Sequence, residues 1–135
     1  MNKKKILIVE GNLEEENRIF TKAGIQTHTQ SLKESLDYIS KDLILDVVNP
    51  SSEKNIINFN DRLHTYDGLI WGGSSLNIYN DTPEIKKQIE FMKNCQNKVK
   101  NILGICWGMQ VAVTAAGGQV KKASVSHVGI AKEIE

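Results

Sequence analysis

Short apolar runs recur along this chain, and all but one of them are followed by a segment with the residue pattern of a helix. The runs cover residues 6–9, 43–48 and 67–71, and a fourth run ends at Gly104. Mostly apolar runs without alternation are typical of parallel strands that are buried on both faces. Strands that alternate with helical segments predict a three-layer α/β domain with a mostly parallel, flavodoxin-like sheet.

The first two connecting segments carry helix signals. Asn12 is placed to cap a helix over residues 13–22, which has acidic residues in its first turn. Ser31 and Glu34 form a capping box, which predicts a second helix that ends near Ser40. The first of these should be a short surface helix.

The second half of the chain continues the alternation. Pro83 stands at the first position of a helix, and residues 107–116 form another helix that two glycines end. Residues 53–65 are mostly polar and are predicted to be irregular. Residues 119–122 and 128–131 are expected to be strands at the far edge of the sheet.

Composition and charge narrow the functional classes. With 135 residues, of which 40% are hydrophobic, the chain can fold as one domain with a real core, expected to span residues 1–135. Seventeen basic and sixteen acidic residues leave a net charge of +1, so neither nucleic acid nor a membrane is expected as a partner. The absence of a secretory signal and the presence of only two cysteines fit a reducing compartment, so a cytoplasmic location is expected. No spacing of His, Cys and Asp suggests a metal, and no cofactor is expected.

The most informative stretch, NILGICWGMQ at residues 101–110, sets one cysteine between two glycines where an apolar strand meets a helix. This is the pattern of a nucleophile elbow with cysteine in place of serine. A Cβ at Gly104 or Gly108 should collide with neighbouring chain in so sharp a turn. At the amino end of a helix, Cys106 faces free N–H groups and the positive end of the helix dipole, which favours its thiolate. The sequence therefore predicts a reactive sulfur at the top edge of the sheet.

Two glycine motifs accompany this elbow. The sequence DGLIWGGS at residues 67–74 lies upstream of it, and Gly117 and Gly118 lie downstream. Together with residues 104–110, these motifs resemble the class I glutamine amidotransferases, which use a Cys-His-Glu triad, and in particular members related to the glutaminase domain of GMP synthase. The resemblance implies hydrolysis of the side-chain amide of glutamine to glutamate and ammonia, through a thioester on the cysteine.

The resemblance also implies roles for individual residues. Cys106 would be the nucleophile, and the backbone N–H of Trp107 would be one donor to the oxyanion of the tetrahedral intermediate. The loop that contains Gly72 and Gly73 resembles the family's second donor. Gln110, with Gly108 beside it, would help to hold the substrate glutamine.

The proton shuttle is the part of the family pattern that the sequence lacks. In the family, a histidine that is followed two residues later by a glutamate lies well downstream of the elbow, which would be beyond Glu135. The histidines of this chain are His28, His64 and His127. The first two are expected on segments away from the elbow. The third does not fit the His-x-Glu pattern, because Gly129 stands two residues later, and it is expected in a solvated loop. The chain would then be a piece of a glutaminase, or a short protein that has kept the substrate-binding half.

Three functions stay open on this sequence. The first is a glutaminase whose ammonia would pass to a synthetase partner, or a relative that hydrolyses a γ-glutamyl amide. The second is a glutamine-binding or regulatory module that lacks the His-Glu pair. The third is a cysteine hydrolase or redox enzyme of the intracellular-protease-like superfamily, although residues 107–110 suit amidotransferases better. An exposed sheet edge would favour a homodimer.

Overall fold

Four parallel strands form the centre of the molecule. They are β1 (Lys4–Val9), β2 (Leu43–Val48), β3 (Gly68–Trp71) and β4 (Ile102–Gly104), in the spatial order β2-β1-β3-β4. The structure, a computed structural model, describes residues 3–125 apart from the side chains at positions 53, 54, 55 and 57. Each neighbouring pair of strands is parallel, which confirms the predicted flavodoxin-like α/β sheet.

Helices connect the strands and cover both faces of the sheet. They are α1 (Glu14–Lys22), α2 (His28–Ile39), α3 (Glu53–Asn60), α4 (Pro83–Lys98) and α5 (Trp107–Ala115). The connection from β1 to β2 crosses the sheet in one direction, and the connections to β3 and β4 cross it in the other. Because parallel crossovers are right-handed, α1 and α2 lie on one face, and α3 and α4 lie on the opposite face with α5 beside α4. These are the three layers that the sequence predicted.

The main core lies between the sheet and the helices α3, α4 and α5. Leu7, Leu69 and Ile102 pair in register across β1, β3 and β4, and they pack in this core. Phe91 of α4 and Val111 of α5 are almost fully buried there. A fully buried side chain of this kind contributes roughly 1.5–3 kcal/mol, so this packing fixes the start of α5 relative to the ends of the strands.

Helix α1 begins in a different way from the prediction. Asn12 does not cap it, because the carboxylate of Glu16 accepts the N–H of Leu13 at 2.8 Å and satisfies that end of the helix. The side chain of Asn12 is buried and turns toward the loop after β3 instead. The helix ends as expected ahead of Gly24, whose φ of +72° suits a residue without a Cβ.

Helix α2 begins earlier than the predicted capping box at Ser31. Its N-cap is Thr27, whose hydroxyl accepts the N–H of Gln30 at 3.2 Å, while the side chain of Gln30 accepts the N–H of Thr27 at 3.1 Å. The helix therefore starts at His28, and it ends before Ser40 as predicted. Because α2 leads into β2, its first turn lies near the carboxyl edge of the parallel sheet.

The prediction that residues 53–65 are irregular is wrong. This stretch contains α3 and a short 3₁₀ helix, Leu63–Thr65. Leu63 is fully buried, and Ile56 and Phe59 pack against the main core. These three residues are spaced three and four positions apart, which is a helical stripe within an otherwise polar stretch.

The strand predicted at residues 119–122 is also absent. That segment has no regular structure, and Val120 packs against the core without pairing to a strand. The strand predicted at residues 128–131 lies outside the described residues.

Helix α4 follows the prediction. The hydroxyl of Thr82 accepts the N–H of Ile85 at 3.3 Å, and Pro83 occupies the first turn, where its missing N–H costs nothing. Ile85 and Met92 of its apolar stripe are buried. None of the helices within residues 3–125 has the length and continuous apolar character that a membrane span requires.

Candidate active site

Cys106 stands between β4 and α5 in a strained backbone conformation. Its φ is +53° and its ψ is −103°. Within residues 3–125 it is the one non-glycine residue with a positive φ. Such a conformation costs of order 1–3 kcal/mol and persists only where the surrounding structure imposes it. The side chain is exposed, so the predicted elbow presents its thiol to solvent at the carboxyl edge of the sheet.

Main-chain hydrogen bonds tie the elbow to the end of β3. The N–H of Ile105 donates to the carbonyl oxygen of Trp71 at 2.9 Å, and the N–H of Gly108 donates to the carbonyl oxygen of Gly72 at 3.2 Å. These bonds hold the residues on both sides of Cys106 against a neighbouring strand. They account for how the strained conformation is maintained.

Both glycines that flank the cysteine are required by close packing, as the sequence predicted. A Cβ at Gly104 would lie 2.8 Å from the amide nitrogen of Met109, and a Cβ at Gly108 would overlap the carbonyl group of Trp71. Both obstacles are backbone atoms, which cannot rotate away as a flexible side chain can. The elbow is therefore a compact turn that admits no larger residue at either position.

The loop that follows β3 meets the elbow at the same edge. A Cβ at Gly72 would have no heavy atom within 4 Å outside its own neighbours, so this side of the loop is open. A Cβ at Gly11 would lie 3.2 Å from the carbonyl oxygen of Gly73 and 2.7 Å from Cδ1 of Trp107. Gly11, which follows β1, is thus in contact with both the loop after β3 and the first residue of α5. Trp107, Gly72 and Gly73, which the sequence analysis named for the oxyanion site, thus lie near one another at this edge of the sheet.

Asn12 fixes the loop after β3 from the loop after β1. Its Oδ1 accepts the hydroxyl of Ser74 at 2.8 Å and the N–H of Ser75 at 3.0 Å. Glu16 accepts the hydroxyl of Ser75 at 2.7 Å. Glu10, which is also buried, accepts the N–H of Asn12 at 2.9 Å. A buried polar group with several partners of this kind holds the elements that it joins in one arrangement.

A cysteine at an elbow of this kind occurs in several families of α/β enzymes, and comparison with known proteins distinguishes between them. The family model described as "Glutamine amidotransferase class-I" matches residues 25–135. This chain belongs to the class I glutamine amidotransferase family. No solved structure gave a significant match to the chain.

Several curated proteins are similar to this chain. It is 31% identical over 126 residues to γ-glutamyl-L-1-hydroxyisopropylamide hydrolase from a Pseudomonas species, and this alignment covers 93% of the chain and 42% of that protein. It is 38% identical over 61 residues to γ-glutamyl peptidase 4 of Arabidopsis thaliana, which covers 45% of this chain and 24% of the peptidase. It is 32% identical over 80 residues to the glutamine-hydrolysing GMP synthase of Petrotoga mobilis, which covers 57% of this chain and 15% of the synthase. Each match therefore covers less than half of the relative's length.

Gln110 lies one turn into α5, after the elbow. Its N–H donates to the carbonyl oxygen of Cys106 at 3.2 Å, and its carbonyl oxygen accepts the hydroxyl of Thr114 at 2.8 Å. The residue is half-buried. It therefore belongs to the same end of α5 as the thiol, which is where the sequence placed a substrate contact.

One histidine lies in a different place from the prediction. A Cβ at Gly73 would lie 4.0 Å from Cε1 and from Nε2 of His28, so this ring lies beside the loop after β3 and not away from the site. His64 lies in the 3₁₀ helix that precedes the amino end of β3, at the opposite edge, as expected. His127 lies outside the described residues. Within residues 3–125, no three His, Cys, Asp or Glu side chains converge as ligands for a metal ion.

The second cysteine of the chain, Cys95, belongs to the core. Cys95 is fully buried in α4, and burial raises the pKa of its thiol to about 12, against a small opposing effect of Lys98. At neutral pH this thiol is protonated and inaccessible. The accessible thiol of the two is that of Cys106.

Sequence reasoning missed Gln88 of α4. Its side chain is completely buried and accepts a hydrogen bond from the indole of Trp107, the residue that follows Cys106. The sequence did contain a signal for this residue, since Gln88 lies on the same face of α4 as Ile85 and Met92, which pack in the core. A polar residue on an apolar face needs hydrogen-bond partners, and so it marks a specific contact.

Proposed function

We propose that Cys106 is the nucleophile of a γ-glutamyl amide hydrolase, with glutamine as the simplest substrate of that class. One observation carries the proposal, namely an exposed cysteine in a strained conformation that is bonded on both sides to the end of a neighbouring strand. A cysteine that serves only packing is buried and needs no such conformation. Membership of the family supports the same role.

The reaction would proceed through a thioester. The thiolate of Cys106 attacks the side-chain carbonyl carbon, and the C=O electron pair moves to the oxygen to give a tetrahedral oxyanion. When this intermediate collapses, the C–N bond breaks and the nitrogen takes up a proton and leaves as ammonia or an amine. Water then attacks the thioester and loses a proton, the C–S bond breaks, and glutamate leaves while the sulfur is restored.

The oxyanion would be bound by main-chain N–H groups. The N–H of Trp107 is one proposed donor, and the loop of Gly72 and Gly73 supplies the other. The hydrogen bond from Gly108 to Gly72 at 3.2 Å supports this pairing, because it joins the two segments directly. The open space beside Gly72 would let a substrate carbonyl approach.

The glutamyl part of the substrate would lie against the first turn of α5. Gln110 and Gly108 are the proposed contacts, and the position of Gln110 one turn from Cys106 supports them. Two of the similar proteins have names that specify γ-glutamyl bonds, and a third is described as glutamine-hydrolysing. The γ-glutamyl group is the part that glutamine and the other γ-glutamyl substrates share, and we assign it to this site.

Residues 1–135 do not contain the His-x-Glu pair that supplies the general acid for the leaving nitrogen in the family's pattern. The positions two residues after the three histidines are Gln30, Tyr66 and Gly129, none of which is acidic. We propose that a His-x-Glu pair from outside these residues completes the triad. Without it, turnover falls on the order of thousands-fold, since the members of such a triad act as a unit.

A glutamine-binding module is the second candidate, and the same missing pair favours it. Calorimetry with glutamine and with a γ-glutamyl alkylamide, beside an assay for released ammonia or amine, separates the two functions. Binding with slow release that Cys106→Ser abolishes supports the hydrolase. Binding that Cys106→Ser leaves intact, with no release from either protein, supports the module. Failure of both ligands to bind contradicts both functions.

A further inference from the structure

Gln88 joins three separate segments of the chain at the base of the site. Its Nε2 donates to the carbonyl oxygen of Gly11 at 2.9 Å and to the hydroxyl oxygen of Ser51 at 3.1 Å. Its Oε1 accepts the indole N–H of Trp107 at 2.8 Å. One fully buried amide thus connects the loops after β1 and β2 to the first residue of α5.

The partners of this amide require a glutamine. The indole N–H of Trp107 can only donate and the carbonyl oxygen of Gly11 can only accept, so one orientation of the amide satisfies both. A methionine in its place would leave both groups buried without a partner, and a glutamate could not donate to Gly11. An apolar residue would serve packing in α4 equally well, so packing does not account for the glutamine.

The residues that Gln88 holds are those of the proposed oxyanion site. Trp107 carries one of the proposed N–H donors. Gly11 lies between the indole ring of Trp107 and the carbonyl oxygen of Gly73. A Cβ built on Gly11 would be 2.7 Å from Cδ1 of Trp107 and 3.2 Å from the oxygen of Gly73. Gln88 therefore bonds directly to Trp107 on one side of the site. Through Gly11, it also sets the distance between Trp107 and the loop of Gly72 and Gly73 on the other side.

We propose that Gln88 is a positioning residue for the oxyanion hole. It fixes the indole of Trp107, and with it the first turn of α5, at a set distance from the loop of Gly72 and Gly73. Donors to an oxyanion act at about 2.7–3.1 Å, so a shift of a few tenths of an ångström between the two segments weakens the stabilisation. The inference rests on the proposed function, because it requires that Cys106 forms a tetrahedral oxyanion.

The test compares two reactions of the same thiol. A γ-glutamyl aryl thioester acylates Cys106 through a tetrahedral oxyanion, and its aryl thiolate leaves without a general acid, so the His-x-Glu pair is not needed. Iodoacetamide alkylates the same sulfur by displacement of iodide, with no oxyanion. The matched control is Gln96→Met, because Gln96 lies in the same helix and donates to the carbonyl oxygen of Ala112 in α5 at 3.0 Å from an exposed position.

Gln88→Met is expected to lower the limiting rate of acylation about tenfold, which is a fraction of the loss from deleting an oxyanion donor. The thioester concentration at half-saturation and the rate with iodoacetamide should change less than about twofold, because neither depends on the oxyanion. Gln96→Met should match the unmodified chain in all three. A slower acylation with an unchanged alkylation by iodoacetamide is not expected if Gln88 only supports the fold.

Equal acylation rates for Gln88→Met and the unmodified chain would overturn the inference, and so would an equal loss in both reactions. If Gln88→Met does not fold by circular dichroism, Trp107→Phe removes the same hydrogen bond from its other end and decides in the same way. An unmodified chain that is not acylated at Cys106 contradicts the proposed function itself, which is a distinguishable result.

Discussion

Gly108 of α5 packs directly against the carbonyl group of Trp71 at the end of β3, with no room between them for a Cβ atom. This contact sets how closely the first turn of α5 approaches the loop that contains Gly72 and Gly73. The N–H of Gly108 also donates to the carbonyl oxygen of Gly72. These main-chain contacts join the two halves of the proposed oxyanion site directly, beside the side-chain hydrogen bonds of Gln88.

Gly108→Ala should destabilise the protein by about 3 kcal/mol, because the added methyl group must displace backbone atoms of β3. Urea denaturation followed by circular dichroism measures this. The matched control is Gly72→Ala, whose Cβ would meet open space and should change the free energy of unfolding little. A Gly108→Ala protein as stable as Gly72→Ala would contradict the close packing described here.

Cys106→Gly should be more stable than Cys106→Ala by about 1 kcal/mol. At an ordinary position glycine is the less stable of the two, but a φ of +53° reverses the order because alanine keeps the strained Cβ. Both variants lack the sulfur, so their difference reports the backbone alone. Urea denaturation of the pair is sufficient, and the opposite order would mean that the elbow is unstrained.

The two cysteines should differ in accessibility and titration. Iodoacetamide at pH 8 should modify Cys106 in the native protein and should reach Cys95 only after denaturation, because Cys95 is buried and its pKa is raised to about 12. Mass spectrometry gives the number of modified cysteines in the native and in the denatured protein. Modification of Cys95 in the native state would contradict its burial.

The raised pKa of Cys95 also predicts the sign of a pH dependence. Above its ordinary value of 9.0 the unfolded chain ionises this thiol while the folded chain does not, so the free energy of unfolding falls as pH rises. The slope for one group is at most about 1.4 kcal/mol per pH unit. Between pH 9 and 11, where the folded and unfolded chains differ most in the ionisation of this thiol, Cys95→Val should lose less stability than the unmodified chain. The same slope of unfolding free energy against pH in both proteins would exclude the effect.

A ligand bound at the proposed site should cover His28. Its ring lies beside Gly73, whereas His64 lies before the amino end of β3, at the opposite edge of the sheet. Glutamine should therefore slow the carbethoxylation of His28 by diethyl pyrocarbonate and leave His64 unaffected, as measured by peptide mass spectrometry. Equal protection of the two histidines, or protection of His64 alone, would place the ligand elsewhere.

The sequence was most informative where structure depends on near neighbours. The elbow could be predicted because the pattern of Gly104, Cys106 and Gly108 lies within five consecutive residues, although the backbone that excludes a Cβ at Gly108 is that of Trp71 in β3. The parallel sheet could be predicted because its strands are short apolar runs, and the start of α4 because Thr82 and Pro83 are local signals.

Contacts between distant segments could not be predicted in this way. Asn12 has the residue type of a helix cap, but its side chain bonds to Ser74, 62 positions later in the chain. Gln88 bonds to Gly11, 77 positions earlier. The ring of His28 meets Gly73 only because both segments end at the same edge of the sheet. Each of these contacts depends on how the parallel strands are ordered, which local sequence does not specify.

The most direct test of the central claim is to treat the chain with a diazo-ketone analogue of glutamine and to locate the adduct by mass spectrometry. We expect one adduct, on Cys106, with glutamine slowing its formation and Cys106→Ala abolishing it. An adduct on Cys95, or labelling that persists in Cys106→Ala, would contradict the assignment of Cys106 as the nucleophile.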